Sequence, residues 1–237
     1  MLPGRCAVVG AGRLGTALAA ALRASGVDAD GPLGRGARCE TADVVLLCVP
    51  DAEIAAAASV VAPGAVVGHC SGATGLDVLG ERERFSLHPL MTVTPDGARF
   101  AGAGCAVAGS TDRALAIARG IAGALGMRAV EIDDADRAAY HAAASIASNF
   151  LVTLEAAAER VAATAGAPRE LLVPLVRATV ENWAAAGPER ALTGPIARGD
   201  EATVQRQRAA IVERAPDLLE LFDALAAATR DLAGAKA

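Results

Sequence analysis

The sequence predicts an α/β domain built on a mostly parallel sheet, followed by an all-α domain. Three observations support this prediction. From residue 1 to about residue 132, short apolar runs alternate with glycine, proline and helical stretches, a pattern typical of parallel sheets covered by helices. From about residue 133 onward the strand signal stops, and charges recur at helical spacing in stretches rich in Ala and Leu. The 237 residues are 53% hydrophobic and 21% charged, which suits a globular chain with a sizeable core.

The first predicted domain, residues 1–132, contains short and mostly apolar strands. The predicted strands cover residues 5–9, 27–33, 43–49, 65–69, 84–87, 105–108 and 128–132, with helices at 16–24, 53–61 and 112–125. The strand at 43–49 has a continuous apolar run that is typical of a central position. The strand at 27–33 is weaker and contains Pro32, which lacks the amide donor that a central strand needs. We therefore expect this second strand at an edge of the sheet.

The second predicted domain, residues 133–237, contains helices only. They are expected at 134–165, 169–186, 200–215 and 216–233, and glycine-proline punctuation separates the first three. Asp200 is expected to cap the third of these helices. An alanine-rich helical domain of this size would expose much apolar surface on its own, so we expect a homodimer through this domain.

Charge and composition exclude several classes of protein. The net charge of −5 and the pI near 5.3 argue against a nucleic-acid partner, because no basic stripe could neutralise phosphates. No uninterrupted apolar run reaches the roughly 18 residues that span a bilayer. Met1 leads almost directly into the first strand, so we expect no signal peptide and a cytoplasmic protein.

Cysteine and lysine usage further limits the chemistry. The five cysteines show no CxxC spacing, which favours reduced core thiols over a metal site. Lys236 is the sole lysine, so lysine chemistry could come only from the C-terminal tail.

A glycine-rich motif lies between the first predicted strand and the first predicted helix. It reads Gly10-Ala11-Gly12-Arg13-Leu14-Gly15. In this setting Gly10 allows a tight turn, Gly12 lets a pyrophosphate approach the backbone, and Gly15 lets helix and strand pack closely. The amides at the start of the helix would face the phosphates. The motif predicts a dinucleotide site.

Several segments together resemble those of one family. They are Val8–Gly15, Val49-Pro50-Asp51, His69–Gly72 with Gly75-Leu76, Leu87–Thr92, Tyr140-His141 with Ser148-Asn149, and Leu192–Asp200. In these segments the chain resembles Rossmann-like proteins with a C-terminal DUF2520 domain, distant relatives of the pyrroline-5-carboxylate reductases and the β-hydroxyacid dehydrogenases. The resemblance covers nearly the whole chain. It implies a nicotinamide-dependent reductase with a helical dimerisation domain, in which Val49, Pro50 and Asp51 help to bind the cofactor.

The chain departs from this family in one place. Related chains insert a helix, a strand and a second helix before the strand that ends in Val-Pro-Asp, whereas residues 34–42 alone fill that gap here. The sheet is therefore expected to be shortened by one αβα segment. One wall of the usual adenine site would be missing.

The residues after the second strand bear on the choice of cofactor. Asp30 has roughly the offset of an acid that binds the ribose of NAD, but family spacing places it inside the strand. Arg35 would stand just beyond the strand end, where a guanidinium suits the 2′-phosphate of NADP. Arg13 and Arg38 could add positive charge. We favour NADP over NAD, and the alternative is that Arg35 and Arg38 are solvated loop charges.

The helix predicted from residue 134 carries the candidate catalytic residues. His141, Ser145 and Asn149 are spaced i, i+4 and i+8, which places them on one helical face. In the β-hydroxyacid dehydrogenases a lysine and an asparagine occupy the matching helix, so the resemblance gives Asn149 the asparagine role and puts Ser145 in the position of the lysine. His141 is the substitute proton donor, and Tyr140 is a second option. The alternative is that this face buries polar groups without catalysis.

Two other regions are candidate substrate contacts. His69 and His88 each follow a predicted strand, and Ser71 and Gly72 begin a small-residue loop that could present donors to a carboxylate. Either histidine could instead be structural. Thr193 and Arg198 lie between helices, where Arg198 could bind a carboxylate or the segment could serve as turn and cap alone.

These expectations combine into one functional hypothesis and one alternative. The hypothesis is an NADP(H)-dependent oxidoreductase that reduces the carbonyl or imine of a small carboxylic acid, with ketopantoate suggested by the resemblance. The alternative is a non-catalytic nucleotide-binding or sensor protein, which the shortened sheet and the missing lysine favour.

Overall fold

The protein, described here from a computed structural model, divides into two compact units, Met1–Ser148 and Asn149–Ala237. The structure describes residues 4–94 and 97–234; Lys236 lies outside them. The predicted boundary at 132/133 falls earlier than this division. The difference arises because the helix after that boundary carries side chains that hydrogen-bond to the sheet, through Arg137 and Tyr140.

Among the described residues the first unit forms one sheet of seven strands in the order β2-β1-β3-β4-β5-β6-β7. The strands are β1 (Cys6–Val9), β2 (Ala29–Leu33), β3 (Val44–Leu47), β4 (Val66–His69), β5 (Arg84–Leu90), β6 (Gly104–Gly109) and β7 (Arg128–Glu131). β5 and β6 are antiparallel, and the other neighbouring strands are parallel. This arrangement confirms the predicted mostly parallel sheet.

Helices cover both faces of this sheet. They are α1 (Arg13–Ala24), α2 (Ile54–Val60) and α3 (Asp112–Ala124), and a further helix, α4 (Arg137–Ser145), follows β7. Side chains alternate along the strands, so that Val8 and Leu46 join one apolar cluster while Val9 and Leu47 join the other. α1 and α3 contribute to the first cluster, and α2 contributes to the second. The apolar strand patterns of the sequence therefore produce a buried, two-sided sheet.

β2 lies at one edge of the sheet, as the sequence predicts. Its only strand neighbour in the described sheet is β1, with Cys6 opposite Ala29 and Val9 opposite Leu33. Pro32 can occupy this strand because an edge position does not require a donor on both sides.

Two predicted elements are wrong in extent. The strand predicted at 84–87 continues to Leu90, because β5 pairs with β6 as far as Leu90 opposite Gly104. His88 therefore lies inside a strand and not after one. The single helix predicted at 134–165 is a 3₁₀ turn (Asp134–Asp136), then α4, a π-helical turn (Ile146–Phe150) and α5 (Leu151–Thr164).

The second unit is helical, as predicted. Besides α5 it contains α6 (Arg169–Ala186), α7 (Pro188–Ala191), α8 (Glu201–Arg214) and α9 (Leu219–Gly234). The Asp200 carboxylate accepts the Thr203 N–H at 3.1 Å, which confirms it as the N-cap of α8. Across residues 4–94 and 97–234, no helix is both long and apolar enough to span a membrane.

Candidate active site

The glycine loop begins where β1 ends. The Gly10 N–H donates to the Leu33 carbonyl at 2.8 Å, so the loop starts against the end of β2. Gly10 has a φ of 114°, and a Cβ there would come within 2.2 Å of the Cys48 carbonyl oxygen. A Cβ on Gly15 would come within 1.9 Å of the Gly10 carbonyl oxygen. The fold itself therefore requires glycine at both positions.

Gly12 differs from these two glycines because the protein packs nothing against it. A Cβ on Gly12 would meet no described atom within 4 Å. Gly12 is the N-cap of α1, where no described side chain caps the amides and the first turn holds no acidic residue. Uncapped amides at a helix N-terminus attract anions. Open space above such amides fits a pyrophosphate, which makes this loop suitable for a dinucleotide.

The other loop residues frame this open space. Ala11 and Arg13 are exposed, and Leu14 is half-buried and packs against the core. The Arg13 side chain is thus free to point toward solvent or a ligand, while Leu14 anchors the first turn of α1.

The residues around the end of β2 carry opposite charges. Asp30 lies inside β2, as expected, and forms an ion pair with Arg5 at 2.7 Å. Arg35 follows Leu33, the last residue of β2, and pairs with Glu53. The Arg35 side chain is 62% exposed, so its guanidinium is accessible to solvent beside the glycine loop.

The loops after β3 and β4 are joined by a hydrogen bond. The Ser71 hydroxyl donates to the Asp51 carboxylate at 2.7 Å and accepts the amides of Ala73 and Thr74 at 3.2 and 3.0 Å. Ser71 is only 7% exposed. Its hydroxyl is occupied inside the protein, so Ser71 orients Asp51 and the loop.

His69, the last residue of β4, is fully buried and structural. Its Nδ1 accepts the Ser71 N–H at 3.2 Å, and its Nε2 lies 3.2 Å from the Gly75 carbonyl oxygen. A neutral ring with the proton on Nε2 satisfies both contacts. Burial lowers the pKa of His69, which favours this neutral form.

His88, Tyr140 and His141 come together against Gly72. The Tyr140 hydroxyl lies 2.9 Å from His88 Nδ1, and the two rings meet edge to face. The ring centroids of His88 and His141 are 6.2 Å apart. A Cβ on Gly72 would come within 2.8 Å of His88 Cε1 and 2.9 Å of His141 Cδ2. Glycine at this position therefore allows both imidazoles to approach the loop after β4.

Burial sets the protonation of His88 and Tyr140. It lowers the pKa of His88 to about 4, and the nearby His141 acts in the same direction while Asp51 opposes it. Burial also raises the pKa of Tyr140 to about 12. Near neutral pH both groups are neutral, and the Tyr140 hydroxyl and His88 Nδ1 share an uncharged hydrogen bond.

A buried arginine holds α4 against the sheet, and the sequence analysis missed it. The Arg137 side chain is 3% exposed; it donates to Asp134 at 2.5 Å and also to Ser86 in β5. Asp134 in turn accepts the Leu76 N–H at 3.0 Å. Burial raises the pKa of Asp134, but the bonds from Arg137 and Leu76 outweigh it and leave the pKa below its usual value. The only signal in the sequence is an arginine one helical turn before His141.

The remaining candidate residues divide between the two units. Ser145 is half-buried at the end of α4, so the helical spacing to His141 holds for this pair. Asn149 falls in the π-helical turn, where the α-helical spacing argument no longer applies. Asn149, Thr193 and Arg198 belong to the second unit and are exposed. The structure thus gathers His88, Tyr140 and His141, and it leaves those three residues in the other unit.

The cysteines are free thiols distributed through the first unit: Cys6, Cys39, Cys48, Cys70 and Cys105. Burial raises the pKa of Cys6 and of Cys105 to about 12, so both remain protonated. In the part of the chain that the structure describes, no group of three His, Cys, Asp or Glu residues is placed to hold a metal ion.

The depressed pKa of His88 predicts an acid-dependent loss of stability. Between about pH 6.5 and the folded pKa of about 4, the unfolded chain binds a proton that the folded chain does not, so the free energy of unfolding falls as the pH falls. The shift corresponds to about 3 kcal/mol at full extent. In denaturant titrations, the free energy of unfolding should fall between about pH 7 and pH 4 by about 2–3 kcal/mol less in His88→Gln than in the wild type. His69 remains in both proteins, so equal losses would contradict the assignment to His88.

Comparison with known proteins places this geometry in context. The family model described as Domain of unknown function (DUF2520) matches residues 103–229. A Thermotoga maritima protein is 26% identical over 98% of this chain and 99% of its own, with a TM-score of 0.82. A Bacteroides fragilis protein, provisionally named an NADP oxidoreductase, is 20% identical over 96% of this chain and 98% of its own, with a TM-score of 0.80. Plasmodium falciparum pyrroline carboxylate reductase with NADP bound is 12% identical over 98% of this chain and 99% of its own, with a TM-score of 0.61.

The search of curated proteins by sequence gave no match. The similarity to the solved structures supports the fold, which is a Rossmann-like α/β unit followed by helices. The family model covers more than half of the sequence and includes the β6–β7 region as well as most of the helical unit. On this match, the chain belongs to the DUF2520 family.

Proposed function

We propose that the protein is an NADP(H)-dependent oxidoreductase that reduces the carbonyl or imine of a small carboxylic acid. The observation that carries this proposal is the open space at Gly12 above the uncapped amides of α1. The same unit places a neutral His88–Tyr140 pair and His141 beyond the carboxyl end of β4, the edge of a parallel sheet where ligands bind. The NADP in the related Plasmodium falciparum enzyme supports the choice of ligand.

The protein's own residues would hold the cofactor at three places. The amides that follow Gly12 would bind the pyrophosphate, and the Arg35 guanidinium would bind the 2′-phosphate. Residues 49–51 would line the side nearer the chemistry. Asp30 lies inside β2, before the strand end at which the ribose acid of NAD-binding proteins stands. When bound, NADPH supplies the hydride.

His141 is the proton donor in this proposal. Its ring is exposed, whereas His88 is held neutral by burial and bonded to Tyr140. Histidine is the side chain that most often acts as a general acid in enzymes. The Tyr140–His88 pair would position His141 and shape the pocket beside Gly72.

The substrate contacts are proposed for each unit by itself. Ser71 serves as a positioning residue, because its hydroxyl is bonded to Asp51. Asn149 would orient the substrate, and Thr193 and Arg198 would bind its carboxylate, since a guanidinium forms paired hydrogen bonds with that group. Ketopantoate is the candidate to test first.

A non-catalytic nucleotide sensor is the second candidate. Ser145 replaces the lysine of the β-hydroxyacid dehydrogenases, and Gly34–Ala42 replaces a whole αβα segment. The missing lysine would weaken catalysis without affecting the phosphate site at Gly12, whereas the shortened sheet would remove one wall of the usual adenine site.

We also propose a homodimer through the helical unit. Among the described residues of that unit, the buried hydrophobic ones are Val204, Ile211, Ala215 and Ala226. Large apolar side chains lie exposed instead, among them Phe150, Val152, Leu171, Leu175 and Trp183. An open groove of about 510 Å³ between α5, α8 and α9 is lined by apolar side chains. A core this small with so much exposed apolar surface requires a partner, and a second copy of the same chain is the commonest one.

The nucleotide site predicts that Gly12→Val weakens NADPH binding at least tenfold, because the valine side chain would fill the space that phosphates need. Fluorescence titration with NADPH measures this. Gly123→Val is the matched control, since a Cβ at exposed Gly123 in α3 also meets nothing within 4 Å. Equal affinity of the Gly12 variant and the wild type would contradict the site.

The proton donor predicts a selective loss of turnover. His141→Ala should lower kcat/KM for ketopantoate by about 10²–10⁴ and leave the Kd for NADPH within about twofold, because only proton transfer is removed. Tyr140→Phe is the control and should cost less. A wild-type protein that binds NADPH but turns over none of a panel of small keto and imino acids would favour the sensor.

The dimer predicts a charge-sensitive association. Trp183→Glu should convert the dimer to a monomer in sedimentation or light-scattering measurements, because it places a charge in apolar surface that is 56% exposed in the single chain. Val60→Glu, on the sheet unit, should remain dimeric. A monomeric wild type at about 100 μM would contradict the proposal.

A further inference from the structure

The ion pair between Arg35 and Glu53 crosses the carboxyl end of β1. β2 and β3 are the neighbours of β1 in the sheet. Arg35 follows β2, and Glu53 lies on the 3₁₀ turn Asp51–Glu53 that follows β3. The glycine loop leaves β1 between these two segments, with the Gly10 N–H bonded to the last residue of β2. The pair therefore borders the place where the adenosine end of a dinucleotide would lie.

This pair combines two chemistries that dinucleotide sites normally separate. A guanidinium beyond the second strand suits a 2′-phosphate, and an acid at that place suits ribose hydroxyls. Asp30, the acid at the sequence offset expected for a ribose ligand, lies inside β2 and forms an ion pair with Arg5. Glu53 comes from a different strand end and is the carboxylate that contacts Arg35.

Building on the nucleotide site proposed above, we propose that Glu53 sets the discrimination between nucleotides with and without a 2′-phosphate. A phosphate must displace the Glu53 carboxylate from Arg35 and lie beside its negative charge. A ribose with a free 2′-hydroxyl meets no such repulsion and can donate a hydrogen bond to the same carboxylate. Arg35 alone would favour the nucleotide with a 2′-phosphate. Glu53 thus reduces the ratio of the affinities for nucleotides with and without that phosphate.

Two nucleotide fragments without nicotinamide isolate this effect from hydride transfer. We would measure the Kd of 2′-phospho-ADP-ribose and of ADP-ribose by calorimetry for the wild type, Glu53→Gln and Arg35→Ala. Glu131→Gln is the matched control, because Glu131 forms an exposed pair with Arg119 at 2.8 Å and lies in β7 at the opposite edge of the sheet.

Glu53→Gln should tighten 2′-phospho-ADP-ribose about five- to tenfold, as expected for removing one charge at about 6 Å from a phosphate dianion in a solvated site. ADP-ribose should bind no more tightly than before. Arg35→Ala should weaken the phosphorylated fragment, and Glu131→Gln should change neither.

If the wild type binds both fragments and Glu53→Gln changes the ratio of their affinities by less than twofold, the role of Glu53 is overturned and the nucleotide site stands. Binding of neither fragment to the wild type would overturn the nucleotide site together with this inference.

Discussion

The buried guanidinium of Arg137 is the constraint on which the candidate site depends. It bonds to Ser86 in β5 and to Asp134, and Asp134 also holds the Leu76 amide. A guanidinium with 3% exposure is tolerated only where its hydrogen-bonding partners are in place. Because α4 begins at Arg137, this network fixes the helix that carries Tyr140 and His141. The sheet supplies His88, so the cluster exists only while that helix is held in register.

Sequence reasoning succeeded where structure follows from local chemistry. A glycine motif between a predicted strand and a predicted helix correctly indicated the loop after β1. Close backbone contacts require two of its glycines, and the third faces open space. Pro32 predicted the edge strand because a missing donor is a property of one residue. Asp200 capped α8 for the same reason, since its partner is three residues away.

The errors concern interactions between segments that are distant in the sequence. β5 extends to Leu90 because β6 pairs with it along that length. The sequence of residues 84–90 does not indicate that β6 is the neighbouring strand. An arginine in a helix is usually exposed, so the sequence gives no reason to expect Arg137 to be buried. Its side chain is buried because it donates a hydrogen bond to Ser86 in β5. The hydrogen bond from the Ser71 hydroxyl to Asp51, on the neighbouring loop, also lies outside what local sequence can predict. Each outcome depends on tertiary packing, which local patterns do not encode.

The electrostatics of the site follow from these same contacts. Burial lowers the pKa of both His69 and His88, and the positive charge of Arg137 acts in the same direction, so the two rings stay neutral and act as fixed hydrogen-bonding groups. Asp51 keeps a carboxylate beside the loop after β4, held there by Ser71. A carboxylate ligand would therefore be repelled from that side of the loop.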